Sequence, residues 1–309
     1  MKTAHHWRAA LACLLVSLFL LGTPAPGQDG KVGRDGFDLH YRTAGKGPPV
    51  VLLSGGPGLD VDYMVPMAEH LPASYQRVFL EQRGTGRSKP PELNAKTVSL
   101  KLVVEDVEAL RVHLKQERLF LVGHSWGGEL AMMYAAAYPE RVDRLILIGS
   151  PGPSPRFREW FHDNITARMR PEDTAALESW MTAEKRRTDP DKAMLEAVKA
   201  MTPAYFFDRS KGLAFAAKTP DGSLHAQVHN LLIADLDKNP GYAAGLKSLQ
   251  RPVLIMHGHQ DPIGDLSAEE IHRAIAGSQI RYIARSGHFP WIEQPEKFRS
   301  IVTEFLKTP

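Results

Sequence analysis

The residues best suited to chemistry are those of Gly123-His124-Ser125-Trp126-Gly127-Gly128. A serine hydroxyl is a weak nucleophile, so it needs a base to take its proton and a carboxylate to orient that base. Both occur downstream. Asp261 stands in His257-Gly258-His259-Gln260-Asp261-Pro262, and His288 in Ser286-Gly287-His288-Phe289-Pro290. Gly123 and Gly127 flank Ser125 at the spacing that a sharp strand-to-helix turn demands, because a side chain at either position would crowd the turn. Acyl transfer also needs N–H donors aimed at the oxygen that becomes negative. The Trp126 amide, next after the serine, supplies one; the second is expected from Gly55-Gly56-Pro57-Gly58, with Gly56 preferred over Gly55.

Competing readings exist for each group. Asp265 lies one short loop from Asp261, and Asp-Pro is also ordinary turn chemistry. His257, His259 and Asp261 offer metal-ligand residue types, but alternating histidines at a strand end more often pack than ligate, so no metal is expected. His124 and Glu129 read as packing residues beside the turn. No phosphate-cradling G-x-x-x-x-G-K-[ST] or G-x-G-x-x-G pattern follows the strand before Gly55, so nucleotide binding is not expected, and no cofactor is called for.

These residues must be carried by elements that end near one another. Phe37, Leu39 and Tyr41 alternate with polar neighbours, the period of a half-buried strand after a turn at Asp35-Gly36. Pro49 to Leu53 and Val78 to Leu80 are short apolar runs, and each ends in a glycine-rich loop. Leu100, Val103, Val104, Val107, Leu110 and Leu114 recur at helical spacing behind Ser99, a suitable N-cap. A strand at Leu119 to Val122, the serine turn, a helix through Ala137 and a strand at Leu145 to Ile148 follow. Strands alternating with helices predict an α/β fold with a mostly parallel sheet flanked by helices. Beyond Ser150 a proline-rich start opens a long helical stretch without strand texture, read as an inserted helical cap over 151–245. The core then comprises 28–150 and 246–309, with further strands at Val253 to Met256 and Gln279 to Ile283.

The 309 residues, 43% of them hydrophobic, suffice for a large core. Met1 to Gly27 reads as a secretory signal peptide: Lys2 and Arg8 precede the apolar run Ala9 to Leu21, and Ala25-Pro26-Gly27 offers small residues for cleavage. A secreted or periplasmic location follows, without stable membrane insertion once the signal is removed. The segment holds the only cysteine, Cys13, and two basic residues, so the mature chain has no disulfide and its formal charge falls from +3 to +1. Without a basic stripe, nucleic acid is not an expected partner. The expected partner is a small-molecule or short peptide substrate.

Together, Gly55-Gly56-Pro57-Gly58, Gln82-Arg83-Gly84-Thr85-Gly86-Arg87-Ser88 and Gly123-His124-Ser125-Trp126-Gly127-Gly128 resemble the proline iminopeptidase family of α/β-hydrolases, whose motifs read H-G-G-P-G, D-Q-R-G-x-G-R-S and G-G-S-W-G-S. The resemblance covers the expected core from Phe37 to Ser150 and from Arg251 onward. It implies the α/β-hydrolase fold, with Ser125 as nucleophile, Asp261 as acid, His288 as base, and the Gly56 and Trp126 amides as oxyanion hole. The chain departs from the family in Ser54 for histidine and Glu81 for aspartate. His124 and Gly128 look like the G-H-S-x-G-G of general esterases. These peptidases hold the substrate amine with cap glutamates, one shortly before a Tyr-Phe pair. Here Met201-Thr202-Pro203-Ala204, without a glutamate, precedes Tyr205-Phe206, and the cap offers Glu178, Glu184, Asp208, Asp235 and Asp237 without singling one out. The expected function is an exported serine hydrolase acting through an acyl-enzyme, an aminopeptidase that releases N-terminal residues. A carboxylesterase or lactonase with the same triad is the alternative, and a non-catalytic ligand-binding module the alternative of another class.

Overall fold

The computed structural model describes residues 27–239 and 241–307. The expected signal segment, Gly27 apart, lies outside the described residues. Strands β1 (Gln28–Arg34) and β2 (Phe37–Ala44) form an antiparallel hairpin, and β2 also pairs antiparallel with β4 (Gln76–Leu80). From β4 the sheet continues in parallel through β3 (Pro49–Leu53), β5 (Leu119–His124), β6 (Val142–Ile148), β7 (Val253–Gly258) and β8 (Gln279–Ile283). The spatial order is β1-β2-β4-β3-β5-β6-β7-β8. This is the mostly parallel, helix-flanked sheet of the α/β-hydrolase fold.

Alternation along the strands sorts the apolar side chains into two layers. Val51 and Leu53, Leu119 and Leu121, Leu145 and Leu147 face α1 (Leu100–His113), α2 (Trp126–Ala137) and α9 (Asp265–Ala274). Val50 and Leu52, Phe120 and Val122, Ile146 and Ile148 face α10 (Pro295–Lys307), which contributes Phe298, Ile301, Val302 and Phe305. Each fully buried aliphatic side chain stabilises the fold by roughly 1.5–3 kcal/mol, so the central strands anchor everything at their ends. The Ser99 side chain caps α1, accepting from the Leu102 amide.

After β3 the chain moves to one side of the sheet to form β4, and then crosses to β5 on the other side. Strand order therefore reverses between β3 and β5, and a crevice opens at their carboxyl ends. Gly55-Gly56 leaves one of these strands and Ser125 the other. Between β6 and β7 lie the helices α3 (Arg158–Thr166), α4 (Pro171–Trp180), α5 (Ala183–Thr188), α6 (Pro190–Met201), α7 (Arg209–Lys218) and α8 (Ala226–Lys238). Backbone bonds join this layer to the crevice: Leu59 bridges Leu224, Asp60 N–H donates to the Ser223 carbonyl, and His225 N–H donates to the Gly58 carbonyl. No helix among the described residues is long and apolar enough to cross a membrane.

Candidate active site

Ser125 joins β5 to α2 with φ 55° and ψ −123°, a strained conformation for a residue bearing a side chain. The strain is held from both sides. The Ser125 amide donates to the Ile148 carbonyl at 2.9 Å, and its carbonyl accepts from Gly128 and Glu129 in the first turn of α2. A Cβ at Gly127 would lie 2.0 Å from the Leu53 carbonyl oxygen, so only glycine lets the turn sit against the end of β3. Ser125 is the one residue from Leu121 to Gly128 that is not fully buried.

Asp261 follows β7 and His288 follows β8. Their side chains meet, with His288 Nδ1 2.8 Å from Asp261 Oδ2, and both are buried. Burial opposes the Asp261 charge, but the facing imidazoles of His288 and His257 and the Ile263 amide outweigh it and hold the carboxyl below its ordinary pKa. A carboxylate can only accept, so Nδ1 of His288 carries the hydrogen and Nε2 presents a lone pair. Ser125 lies beside this pair: the ring of its neighbour His124 is 4.5 Å from that of His288. Among the described residues the serine hydroxyl makes no hydrogen bond within 3.5 Å, to His288 or to any other group. The acid–base pair is assembled, and the serine stands free next to it. Such looseness is common before substrate tightens a catalytic pair.

A relay that sequence reading missed ties the oxyanion side to the histidine loop. His124 Nε2 lies 3.0 Å from the His288 carbonyl, and a carbonyl can only accept. Nε2 therefore holds the hydrogen of His124, whose pKa burial and the nearby His288 keep well below the usual value. Nδ1 is left as acceptor for the Tyr63 hydroxyl at 2.8 Å, and the Tyr63 oxygen accepts the Gly55 amide at 2.5 Å. His124 is thus a spacer with a fixed tautomer rather than a passive packing residue. The relay occupies the Gly55 amide, while the amides of Gly56 and Trp126 have no acceptor among the described residues.

The Gln-Arg motif also holds the framework. Gln82 Nε2 donates to the carbonyl and hydroxyl oxygens of Ser54 at 2.9 Å each, and Trp126 Nε1 donates to Gln82 Oε1 at 3.0 Å. Arg83 makes a buried two-pronged pair with Asp106. The cap braces the histidine loop: His288 N–H donates to the Tyr205 carbonyl at 2.8 Å, and the Tyr205 ring lies 5.1 Å from that of His288. Tyr205, Phe161, Phe289 and Tyr63 make the surroundings aromatic.

The five carboxylates named from the sequence, among the thirteen in 151–245, do not converge on this site. Asp208 caps α7, Asp235 accepts from the Leu100 amide, Asp237 pairs with Arg158, and Glu178 and Glu184 are exposed. Asp265 takes His259 at 3.1 Å and stands 4.0 Å from the buried His257. Among the described residues no three His, Cys, Asp or Glu side chains are grouped to hold a metal ion.

A family profile described as the alpha/beta hydrolase fold matches residues 48–295. A proline iminopeptidase of Lactobacillus helveticus is 28% identical over 298 residues, covering 90% of this chain and 97% of that protein. A cis-3-alkyl-4-alkyloxetan-2-one decarboxylase of Shewanella oneidensis is 35% identical over 132 residues, covering 42% of this chain and 41% of its own. The crystal structure of a proline iminopeptidase of Mycobacterium smegmatis superposes with a TM-score of 0.69 at 21% identity, covering 91% of this chain and 98% of that one.

Proposed function

The chain belongs to the α/β-hydrolase family, and from that premise we propose that it is a serine hydrolase working through an acyl-enzyme, an aminopeptidase of the proline iminopeptidase type. The observation that carries the reading is the buried Asp261–His288 pair at 2.8 Å beside the strained, accessible Ser125. Similarity over nearly the whole length to the Lactobacillus proline iminopeptidase supports the peptidase assignment. Export belongs to the same proposal and rests on the basic, apolar and small-residue pattern of Met1 to Gly27.

In this mechanism His288 Nε2 takes the Ser125 proton as Oγ attacks the scissile carbonyl. Asp261 holds the imidazole through Nδ1–H and stabilises the cation formed. The carbonyl oxygen becomes negative and is met by the Gly56 and Trp126 amides, the two that the framework leaves free. His288 returns the proton to the departing amine, and the acyl group remains on Ser125. Water, activated by the same imidazole, then releases it. The strained backbone holds Ser125 at the turn, and bound substrate has to bring its hydroxyl within reach of His288 Nε2.

The esterase or lactonase reading keeps one specific observation in its favour: the cap carboxylates are spent elsewhere or exposed to solvent. Turnover of proline and alanine 4-nitroanilides against that of short-chain 4-nitrophenyl esters separates the two. Ester cleavage with no anilide cleavage would sink the peptidase reading. Ser125→Ala should abolish both activities and covalent labelling by a fluorophosphonate. Failure of the unmodified protein to label at Ser125 would return the chain to the class of non-catalytic binding modules.

A further inference from the structure

Among the described residues six acidic residues are buried: Glu81, Asp106, Glu129, Asp173, Asp261 and Glu293. Five have partners. Glu81 takes Arg87, Asp106 takes Arg83, Asp173 takes Arg209, Asp261 takes His288, and Glu293 accepts the amides of Asp208 and Gly287. Glu129 alone accepts no hydrogen bond and makes no ion pair among the described residues. It keeps 7% of its surface exposed. Such a group is expensive to bury, and elsewhere the same molecule pairs every acid it buries. Packing gives no reason for it, since Leu130, Ala131, Met132 and Met133 continue the helix with apolar residues.

Its position supplies a reason. Glu129 stands four residues beyond Ser125, and its amide donates to the Ser125 carbonyl at 3.2 Å. Ser125 is the non-helical N-cap just ahead of that helix, and side chains in a helix's first turn lean toward its N-terminus. The carboxylate is therefore carried back over the turn that bears Ser125 and Trp126. In a peptide cut after its first residue, the amine is on the carbon next to the attacked carbonyl. Its anchor must lie within about one side-chain length of Ser125. The cap acids with partners lie elsewhere; Glu129 is one turn away.

We propose that Glu129 is the anionic contact for the substrate's free amino group, so that the site takes substrates with a positively charged amine adjacent to the scissile carbonyl. The inference rests on the aminopeptidase reading and names its specificity residue. Burial pushes the empty Glu129 carboxyl up to about 8, with Arg158 of α3 opposing. Arg158 is itself committed to Asp237. The Tyr242 hydroxyl, buried without a hydrogen-bond partner, feels the Glu129 charge. An arriving ammonium would give the carboxylate the counter-charge it lacks.

The test uses the full chain and two pairs of substrates, alanine 4-nitrophenyl ester with and without N-acetylation, and alanine 4-nitroanilide with and without it. The expected result is a preference for the free-amine ester that Glu129→Gln lowers roughly 10- to 100-fold, the range for losing one charge-assisted contact, with most of the effect in KM. Glu129→Asp keeps the charge with a shorter reach and should retain part of the preference; it carries the test if the amide variant folds poorly. A preference unmoved in E129Q overturns the proposal. So does an equal loss on free and acetylated esters that Tyr242→Phe reproduces, since Glu129 and Tyr242 would then be a packing pair. Ester preference that depends on Glu129, with no anilide turnover, would remove the peptidase reading and keep the amine contact. Anilide turnover with the preference unmoved would do the reverse, and no turnover of either ester or anilide would overturn both.

Discussion

Replacing Glu129 with glutamine should make the protein more stable, and by an amount that depends on pH. Burial pushes the native carboxyl up to about 8 from its ordinary 4.5, because it disfavours the charge more than Arg158 supports it. A group whose pKa is raised on folding holds its proton more tightly in the native state. Its favourable contribution is complete below about pH 4.5 and is lost as pH rises to about 8. At about 1.4 kcal/mol per pH unit, the native state carries a penalty of up to about 5 kcal/mol once both states are ionised. Glutamine never ionises. Wild type and E129Q should therefore unfold alike near pH 4.5, diverge through neutrality, and differ most at pH 9, with the variant the more stable. Urea or thermal unfolding at four or five pH values measures the divergence. A stability difference that is flat with pH, or a variant less stable at pH 9, would refute the reasoning, because it would mean that Glu129 is paired or solvated in the native protein.

Asp261→Asn should lower kcat roughly 10³- to 10⁴-fold with the fold intact, through loss of the His288 tautomer, whereas Asp265→Asn should cost far less; comparable losses would move the acid to Asp265. Tyr63→Phe leaves the Gly55 amide and His124 Nδ1 without partners and should destabilise by roughly 1–3 kcal/mol in denaturant unfolding, with a reduced kcat. Gly149→Ala should reduce ester turnover at least ten-fold, since its Cβ would lie 2.8 Å from Asp261 Oδ2 and 2.9 Å from His288 Nδ1 at a φ of +53°. Full activity in that variant would place the working acid–base pair elsewhere.

Much of the sheet is legible in sequence because a strand covered on both faces must be a short apolar run, and because loops that approach a substrate by their backbone need glycine. Gly56, Gly58, Gly84, Gly86 and Gly149 all have positive φ. β1 is different. Its residues, Gln28 to Arg34, pair by backbone at the sheet edge and keep four of seven positions exposed, so hydrophobic period says nothing of it. Asp261 and His288 can be singled out in sequence because each follows a strand and stands beside glycine or proline. What was not visible depends on pairs far apart in the chain: Tyr63 with His124, Gln82 with Trp126, Tyr205 with His288. From sequence Glu129 reads as a packing residue beside the serine turn. Only its burial, and the lack of any partner, distinguishes it.

The residues that make the serine turn resemble one family or another prove to be framework. Trp126, shared with iminopeptidases, donates its indole N–H to Gln82 and so fixes the end of β4 against the turn. His124, the esterase-like residue, bridges Tyr63 to the His288 carbonyl. Gly128 is small because Ser150 Oγ would lie 1.8 Å from a Cβ there. Ser54, in place of the family histidine, receives Gln82. Each departure changes how the two loops are held, and none presents a group that would sort one acyl substrate from another. The cap's backbone is equally engaged, clasping Gly58 and Asp60 on one side and His288 on the other. Substrate choice therefore falls to side chains the framework does not use. Near Ser125 the acidic one is Glu129, buried without a partner among the described residues, in the first turn of the helix that the nucleophile opens.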